Sequence, residues 1–236
     1  MRKENLSAQL NNIATILKQE KLCGNLTPLY NVIGELKKSQ SYYLQKLEIN
    51  IDEVPNNTRP SCVKLLKAIL SVQISESTSA DNQIINPIRN PNYIFSVELT
   101  GKNNNGDTVH SNWHLDFEDS DTSEYVHPVF HLTYGGNAMK DTNIGDVLLL
   151  PTPRLSYPPM DAILGIDFVI SNFIKKDKYE KLKNNRAYST AVKHSQQRLW
   201  QPYMLSLAKH WCSFKNCQHY DVDDSFSKKC HPTLII

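Results

Sequence analysis

VHSNWHLDFEDSDTSEYVHPVFHLTY, residues 109–134, alternates apolar and polar side chains twice, with opposite parity in its two halves. Over residues 109–117 the apolar side chains hold the odd positions, and over residues 126–134 they hold mainly the even positions. Side chains on a strand point alternately to the two faces of a sheet, so each half is typical of a half-buried strand. The two apolar rows must share one face of a β-hairpin, and the polar rows must then share the other.

The polar face of this predicted hairpin gathers imidazoles and a carboxylate. With a turn near residues 120–122, Asp116 would lie opposite His127 and Asn112 opposite His131. Imidazole and carboxylate are ligands that zinc and several redox-active metals prefer, so we expect a divalent metal, with zinc the first candidate. The expected ligands are His114, Asp116, His127 and His131. The same groups also suit acid–base catalysis without a metal, and a third interpretation is a half-exposed polar surface.

The rest of the chain predicts an α+β fold. Helical spacing of leucine and isoleucine indicates a first helix over residues 6–17, and Thr27-Pro28 begins a second that continues to Leu47. These two would form an N-terminal helical hairpin, and a third helix is expected from Ser61. Residues 93–99, the two hairpin strands and the apolar run 147–150 then make a four-stranded antiparallel meander.

The chain from residue 151 onwards has a proline-rich segment and then returns to helical spacing. Four prolines between residues 151 and 159 predict an extended loop, because proline fits neither a strand ladder nor a helix interior. A buried apolar helix is expected from Met160, a basic helix over residues 177–200 and a last helical piece from Pro202, all packed on the sheet. We expect one compact domain made of three regions. They are residues 1–74 (helical), 75–174 (sheet, proline-rich loop and buried helix) and 175–236 (basic helix and Cys/His tail).

Composition and charge limit the kinds of protein to which this chain can belong. The chain has 236 residues, a formal net charge of +2 and five cysteines. An odd cysteine count favours a reducing compartment, and the sequence shows neither a signal-peptide core nor an apolar run of about 20 residues. We therefore expect a cytoplasmic protein without membrane contact. P-loop, Gly-x-Gly-x-x-Gly and Gly-x-Ser-x-Gly motifs do not occur, which argues against nucleotide-dependent and serine-hydrolase activities.

A second candidate metal site lies in the tail, which contains Cys212, Cys217, His219 and Cys230. Thiolates and imidazoles form the ligand set of structural zinc, so a zinc ion held here would stabilise a segment that has little core of its own. The spacing is not that of a standard Cys-x2-Cys knuckle. Unrelated thiols at a frayed terminus are the alternative interpretation.

A single carboxylate, Asp167, interrupts the predicted buried helix. A charge at this position needs a partner such as Arg154, a histidine or a metal, so Asp167 is either a structural pair member or a catalytic base. Asp161, beside Pro159, suits the first turn of the same helix, where the helix dipole favours a negative charge. Arg154 itself is a candidate for binding an anion.

Together these features favour a metal-dependent hydrolase that acts on a phosphodiester or similar anionic substrate. A metal-bound water would be the nucleophile, and Asp167 or His110 would act as the base or orient the water. The basic segment from Lys175 to Arg198 would attract nucleic acid or another anionic substrate.

The competing hypothesis is a non-catalytic adaptor whose tail binds zinc and whose hairpin face contacts a protein partner. The order of helices, meander, proline-rich loop and helices resembles that of ubiquitin-conjugating and related interaction domains. Those enzymes place a cysteine after the proline-rich loop, whereas no cysteine occurs between Cys62 and Cys212 here. The resemblance, which is one of element order alone, therefore implies interaction rather than conjugation.

Overall fold

Two amphipathic helices begin the chain, α1 (Lys3–Gln19) and α2 (Thr27–Leu36). The computed structural model describes residues 3–39, 41–56, 58–75, 92–119, 126–143, 145, 148–150, 153–211 and 224–234. Proline stands in the first turn of α2, where its missing N–H costs nothing, and the buried leucines and isoleucines of both helices meet. A helical hairpin is therefore present, but α2 ends at Leu36 rather than at the predicted Leu47.

A six-stranded antiparallel sheet forms the other half of the α+β fold, with its strands adjacent in chain order. The predicted class is confirmed, while the predicted count of four strands is wrong. The strands are β1 (Tyr42–Asn50), β2 (Lys64–Ile74), β3 (Ile94–Lys102), β4 (Thr108–Phe117), β5 (Phe130–Tyr134) and β6 (Leu155–Ser156).

Two β-bulges explain why β1 and β2 read as helices in the sequence. In β1 the register shifts between Leu44 and Leu47, with Lys46 in the left-handed region at φ 53°. Both leucines consequently face the core although they are three residues apart, which is a helical spacing. A second bulge between Lys64 and Lys67 holds Leu65 at φ 53° with 82% of its surface exposed. The prediction of helix over residues 37–47 is wrong for the first reason. The prediction of helix from residue 61 is wrong because apolar Leu65 and Ile69 lie off the buried face of β2.

The predicted strand at residues 147–150 is also wrong where it can be checked. Residues 148–150 belong to no strand, Leu148 is 79% exposed, and residue 147 lies outside the described residues. The last strand is instead the two-residue β6, which lies inside the predicted proline-rich loop. It pairs with β5 because the residues between Pro153 and Pro158 retain their backbone N–H groups.

Helices cover one face of the sheet. The predicted buried helix is α3 (Ala162–Phe173), whose Gly165 packs so closely on Leu70 and Phe95 that a Cβ there would lie 3.0–3.2 Å from their side chains. The predicted basic helix is divided into α4 (Lys176–Lys183) and α5 (Arg186–Ser195), because Asn185 caps a new helix with its side-chain oxygen. A π-helical turn (Gln196–Trp200) leads into α6 (Gln201–Trp211), and α7 (Asp224–Cys230) follows.

Asp161 joins α3 to the π-helical turn. Its carboxylate caps α3 by accepting from the Leu164 N–H at 2.9 Å, as its predicted first-turn position implies. The same buried group accepts from the Ser195 hydroxyl at 2.9 Å and pairs with the Arg198 guanidinium. The carboxylate is therefore fully paired inside the helical layer.

The outer edge of β1 is partly covered by the chain itself. The Tyr43 N–H donates to the Glu35 carboxylate at 2.9 Å, and the Asn50 N–H donates to the Leu22 carbonyl at 2.8 Å. These contacts satisfy backbone donors that an edge strand otherwise presents to solvent.

Candidate functional site

The hairpin formed by β4 and β5 carries the predicted imidazoles, in a register different from the predicted one. Asp116 lies opposite His131, and His114 lies opposite Thr133. The predicted pairings of Asp116 with His127 and of Asn112 with His131 are therefore wrong by four residues, because β5 begins only at Phe130. Four is an even shift, so every side chain keeps its predicted face.

The two faces of the hairpin have different surroundings. Leu115 and Leu132 lie on the face that α3 covers, in the same row as Phe95, which contacts the ring of Phe168 on α3. We call the opposite face of β3, β4, β5 and β6 the polar face. The residues that lie on this face include Ser96, Asn112, His114, Asp116, His131 and Thr133. His114 and His131 thus lie on one face, as expected, whereas His127 precedes β5 and has no position in the strand.

On this polar face each imidazole lies beside a carboxylate. His114 Nε2 is 3.1 Å from Asp116 Oδ2, and His131 Nε2 is 3.6 Å from the same oxygen. His127 Nε2 is 3.0 Å from Glu118 Oε2. The side chains of Asp116 and Glu118 are 48% and 49% exposed, whereas those of His131 and His127 are 2% and 5% exposed. The carboxylates are therefore the accessible groups, and the imidazoles lie beneath them.

His131 has a fixed proton position. Its Nδ1 is 3.0 Å from the Pro128 carbonyl oxygen, which can only accept, so Nδ1 carries the proton. The Nε2 lone pair of the neutral imidazole then faces an oxygen of Asp116, which is also an acceptor. Two acceptors in contact are favourable only with a proton or a cation between them. A proton or a cation placed between these two atoms would make their contact attractive.

His114 is held from three sides. Its Nε2 contacts Asp116, its Nδ1 is 3.5 Å from the Asn112 amide nitrogen, and Gly136 packs against the ring. Asn112 is in turn fixed, since it accepts from the Ser96 hydroxyl and donates to the Gly135 carbonyl, both at 3.0 Å. Burial raises the pKa of Asp116, but the hydrogen bonds and charges of His114 and His131 outweigh burial and hold that pKa below its ordinary value.

His127 extends this group towards β6. Its ring centroid lies 4.2 Å from that of His131, at an interplanar angle of 77°. Burial, His131 and the Arg154 guanidinium lower the pKa of His127, and Glu118 opposes them. Arg154 immediately precedes β6, so the start of that short strand brings a guanidinium to the imidazole pair.

The two residues predicted as catalytic, His110 and Asp167, are not brought to this group. His110 lies four residues from His114 on β4, about 13 Å along the strand, and contacts Glu98 at 3.2 Å. Asp167 belongs to α3, on the opposite face of the sheet, where it accepts from the Tyr188 hydroxyl at 2.9 Å. Burial raises the pKa of Asp167. Its partners are tyrosine hydroxyls, Tyr188 and Tyr179, rather than the expected Arg154, histidine or metal.

The two predicted metal sites, one on the hairpin and one in the tail, have different outcomes. Among the residues that the structure describes, no group of three His, Cys, Asp or Glu side chains is placed to surround a metal ion. Cys212, Cys217 and His219 lie outside the described residues, so the tail zinc site stays a prediction. Cys230 is described: it is buried, and burial raises the pKa of its thiol to about 12. The adjacent His231 is buried against the ring of Tyr203.

Several basic side chains of the segment 175–198 pair with acidic ones, and the segment lies away from the polar face. Lys175 pairs with Glu53, Lys178 with Asp52 at 2.7 Å and Lys181 with Glu20 at 2.9 Å. These lysines sit at the start of and on α4, which packs on α3 and α5 in the helical layer. The segment therefore does not line the polar face. In the part of the chain that the structure describes, no helix combines the length and apolarity needed to cross a membrane.

Sequence reasoning missed Glu118 and Glu98 as partners of the imidazoles. Glu118 continues the even positions of β4, so the parity that placed Asp116 on the polar face already applied to it. Glu98 lies opposite Asn112 on β3, a pairing that only the register of the sheet reveals.

Comparisons of the chain with protein-family models, with curated proteins and with solved structures found no match.

Proposed function

We propose that the chain is a hydrolase of a phosphodiester or similar anionic ester, with Asp116, His114 and His131 as its reactive group. The observation that carries this proposal is the shared oxygen of Asp116, which lies 3.1 Å from Nε2 of His114 and 3.6 Å from Nε2 of His131. This arrangement supports proton uptake beside an accessible carboxylate, which is the work of a general base.

The steps follow from the proton positions. A water molecule at the exposed Asp116 carboxylate attacks the phosphorus of the ester and loses its proton to the acceptor pair of Asp116 and His131. The bond from phosphorus to the leaving oxygen breaks, and the leaving alcohol takes the proton back from that pair. His114 donates its Nε2 proton to Asp116 throughout and keeps the carboxylate in position.

The metal-dependent form of the proposal places a divalent cation such as zinc where the pair otherwise holds a proton. Carboxylate and imidazole are suitable ligands, and ligands 2.0–2.1 Å from a tetrahedral zinc lie roughly 3.3 Å apart. The separations of 3.1 and 3.6 Å lie on either side of that value. Since no group of three described residues already surrounds one point, the side chains would have to close around the ion.

Hydrolysis of bis(p-nitrophenyl) phosphate by the purified full chain tests the proposal, with chelator-treated protein and with added zinc or manganese. General acid–base groups contribute roughly 100-fold to 10,000-fold, so Asp116→Asn and His131→Ala are expected to lose at least 100-fold of the activity. Glu98→Gln is the matched control, because it removes a carboxylate of the same kind beside His110 on the same face. Loss of activity with chelator and its return with zinc would make the metal-dependent form correct.

Equal activity in Asp116→Asn and Glu98→Gln would contradict the proposal. So would the failure of the wild-type protein to hydrolyse phosphodiesters under every metal condition.

The second candidate is an adaptor that uses the hairpin face to bind a protein and the tail to bind zinc. The half-exposed carboxylates of Asp116 and Glu118 favour it, because they present negative charge to a basic partner. Metal analysis of purified His131→Ala and Cys217→Ala proteins separates the candidates. Loss of metal only in the cysteine variant supports the adaptor, and loss only in the histidine variant supports the metal-dependent enzyme.

A further inference from the structure

The corner of the sheet where β6 meets β5 contains buried polar atoms without a hydrogen-bond partner in the described structure. They are Nη1 of Arg154 and Oγ1 of Thr133. Leaving such groups unpaired away from water costs free energy, and native proteins leave few of them. Both side chains can donate a hydrogen bond. Among the described residues, the corner therefore lacks an acceptor for them.

Arg154 lies just before β6 and opposite Thr133 of β5, and His127 lies near Arg154. β6 pairs His131 with Ser156 and Leu132 with Leu155, and the same register sets Arg154 opposite Thr133. The Arg154 guanidinium is near enough to the His127 imidazole to lower its pKa. His127 in turn stacks edge-on with His131, 4.2 Å away between ring centroids. A molecule bound at Arg154 would thus lie beside the pair of His131 and Asp116.

The acidic side chains nearest to this corner are already engaged. Glu118 contacts the Nε2 of His127 at 3.0 Å, and Asp116 is shared by His114 and His131. Arg154 cannot lose its proton, and no described residue accepts from its Nη1, so an acceptor bound from outside the chain would satisfy this N–H. A negatively charged acceptor suits a guanidinium best.

We propose that Arg154 and Thr133 form a binding site for a tetrahedral oxyanion, namely the phosphate group of the substrate. This inference rests on the proposed function and names the part of the substrate that the protein holds. The planar guanidinium of Arg154 can donate to two oxygens of a phosphate group, and the Thr133 hydroxyl can donate to a third.

Calorimetric titration of the full chain with inorganic phosphate, at low ionic strength, tests the site without relying on catalysis. Wild-type protein is expected to bind phosphate, and Arg154→Gln to weaken binding at least 10-fold. Arg154→Lys keeps the charge but not the planar fork, so it should retain part of the affinity and show that loss of folding is not the cause. Arg186→Gln is the matched control, since it removes an exposed arginine from α5 in the helical layer.

The outcomes distinguish this site from the reaction. Asp116→Asn should still bind phosphate while losing hydrolysis, so phosphate binding that depends on Arg154 supports the site even if no ester is cleaved. Wild-type protein that does not bind phosphate, or equal weakening by Arg154→Gln and Arg186→Gln, overturns the site. Acetate that binds as tightly as phosphate overturns the assignment to a tetrahedral oxyanion.

Discussion

Replacing Gly136 by alanine should disturb the fold and His114 together. Gly136 has φ +77°, and a Cβ added to it would lie 2.7 Å from Cε1 of the His114 imidazole. The left-handed backbone alone costs an L-residue about 1 to 2 kcal/mol. Crowding a packed side chain adds about 1 to 3 kcal/mol. We therefore expect Gly136→Ala to lower the free energy of unfolding by about 2 to 5 kcal/mol in total.

Gly106→Ala is the control for this substitution. Gly106 has a similar φ of +85°, but no atom lies within 4 Å of the position that a Cβ would take, so only the backbone cost of about 1 to 2 kcal/mol should remain. Urea unfolding of the three proteins measures both values. The pH titration of the His114 ring protons by NMR then reports whether the imidazole has moved away from Asp116.

The reasoning fails if both alanine variants lose the same stability and the His114 signals are unchanged. If the His114 ring turns aside in Gly136→Ala, the two alanine variants will differ less in stability, but the pH titration of the His114 ring protons will change. Either response is evidence that Gly136 contacts His114.

Three further substitutions test other parts of the structure. Leu65→Gly should raise the free energy of unfolding by about 0.5 to 1 kcal/mol in urea, because it relieves a left-handed, exposed residue at the cost of chain entropy; destabilisation would contradict this account of the bulge. Asp161→Ala should cost about 3 to 5 kcal/mol, since it removes the buried carboxylate that pairs with the Arg198 guanidinium and caps α3; a loss below 1 kcal/mol in the same assay would be incompatible with this role. The pKa of Asp116 is lower in the folded state than its unfolded value of about 3.9. The Asp116 carboxylate therefore stabilises the fold above a pH of about 3.9, and this stabilisation is lost as the pH falls from there towards the folded-state pKa. Asp116→Asn should therefore be less stable than wild type at pH 7, and the gap should narrow in unfolding curves taken towards pH 3; a gap independent of pH would refute the assignment.

The polar face of the hairpin was predictable because it depends on parity alone. An odd-and-even alternation that inverts between two strands fixes which side chains share a face, whatever the length of the loop. The partner of Asp116 was not predictable, because it depends on where β5 begins, and a shift of four residues leaves the alternation unchanged.

The strands β1 and β2 were hidden by their bulges. A left-handed residue such as Lys46 inserts one position, so Leu44 and Leu47 face the core at a helical spacing. The grouping around Arg154 was also beyond the sequence, because two residues of pairing within a proline-rich segment give no periodic signal. The alternation within each strand therefore predicted which side chains share a face of the sheet. The composition of the candidate site depends on the pairing between strands, which the alternation does not reveal.

The covered border of β1 affects how copies of the chain meet one another. An edge strand recruits strands of neighbouring molecules when its N–H groups are free, which is a common route to fibrils. At the opposite border β6 is only two residues long, too short to template an added strand. Joining two copies through β1 would first require displacement of the Glu35 carboxylate and the Leu22 carbonyl.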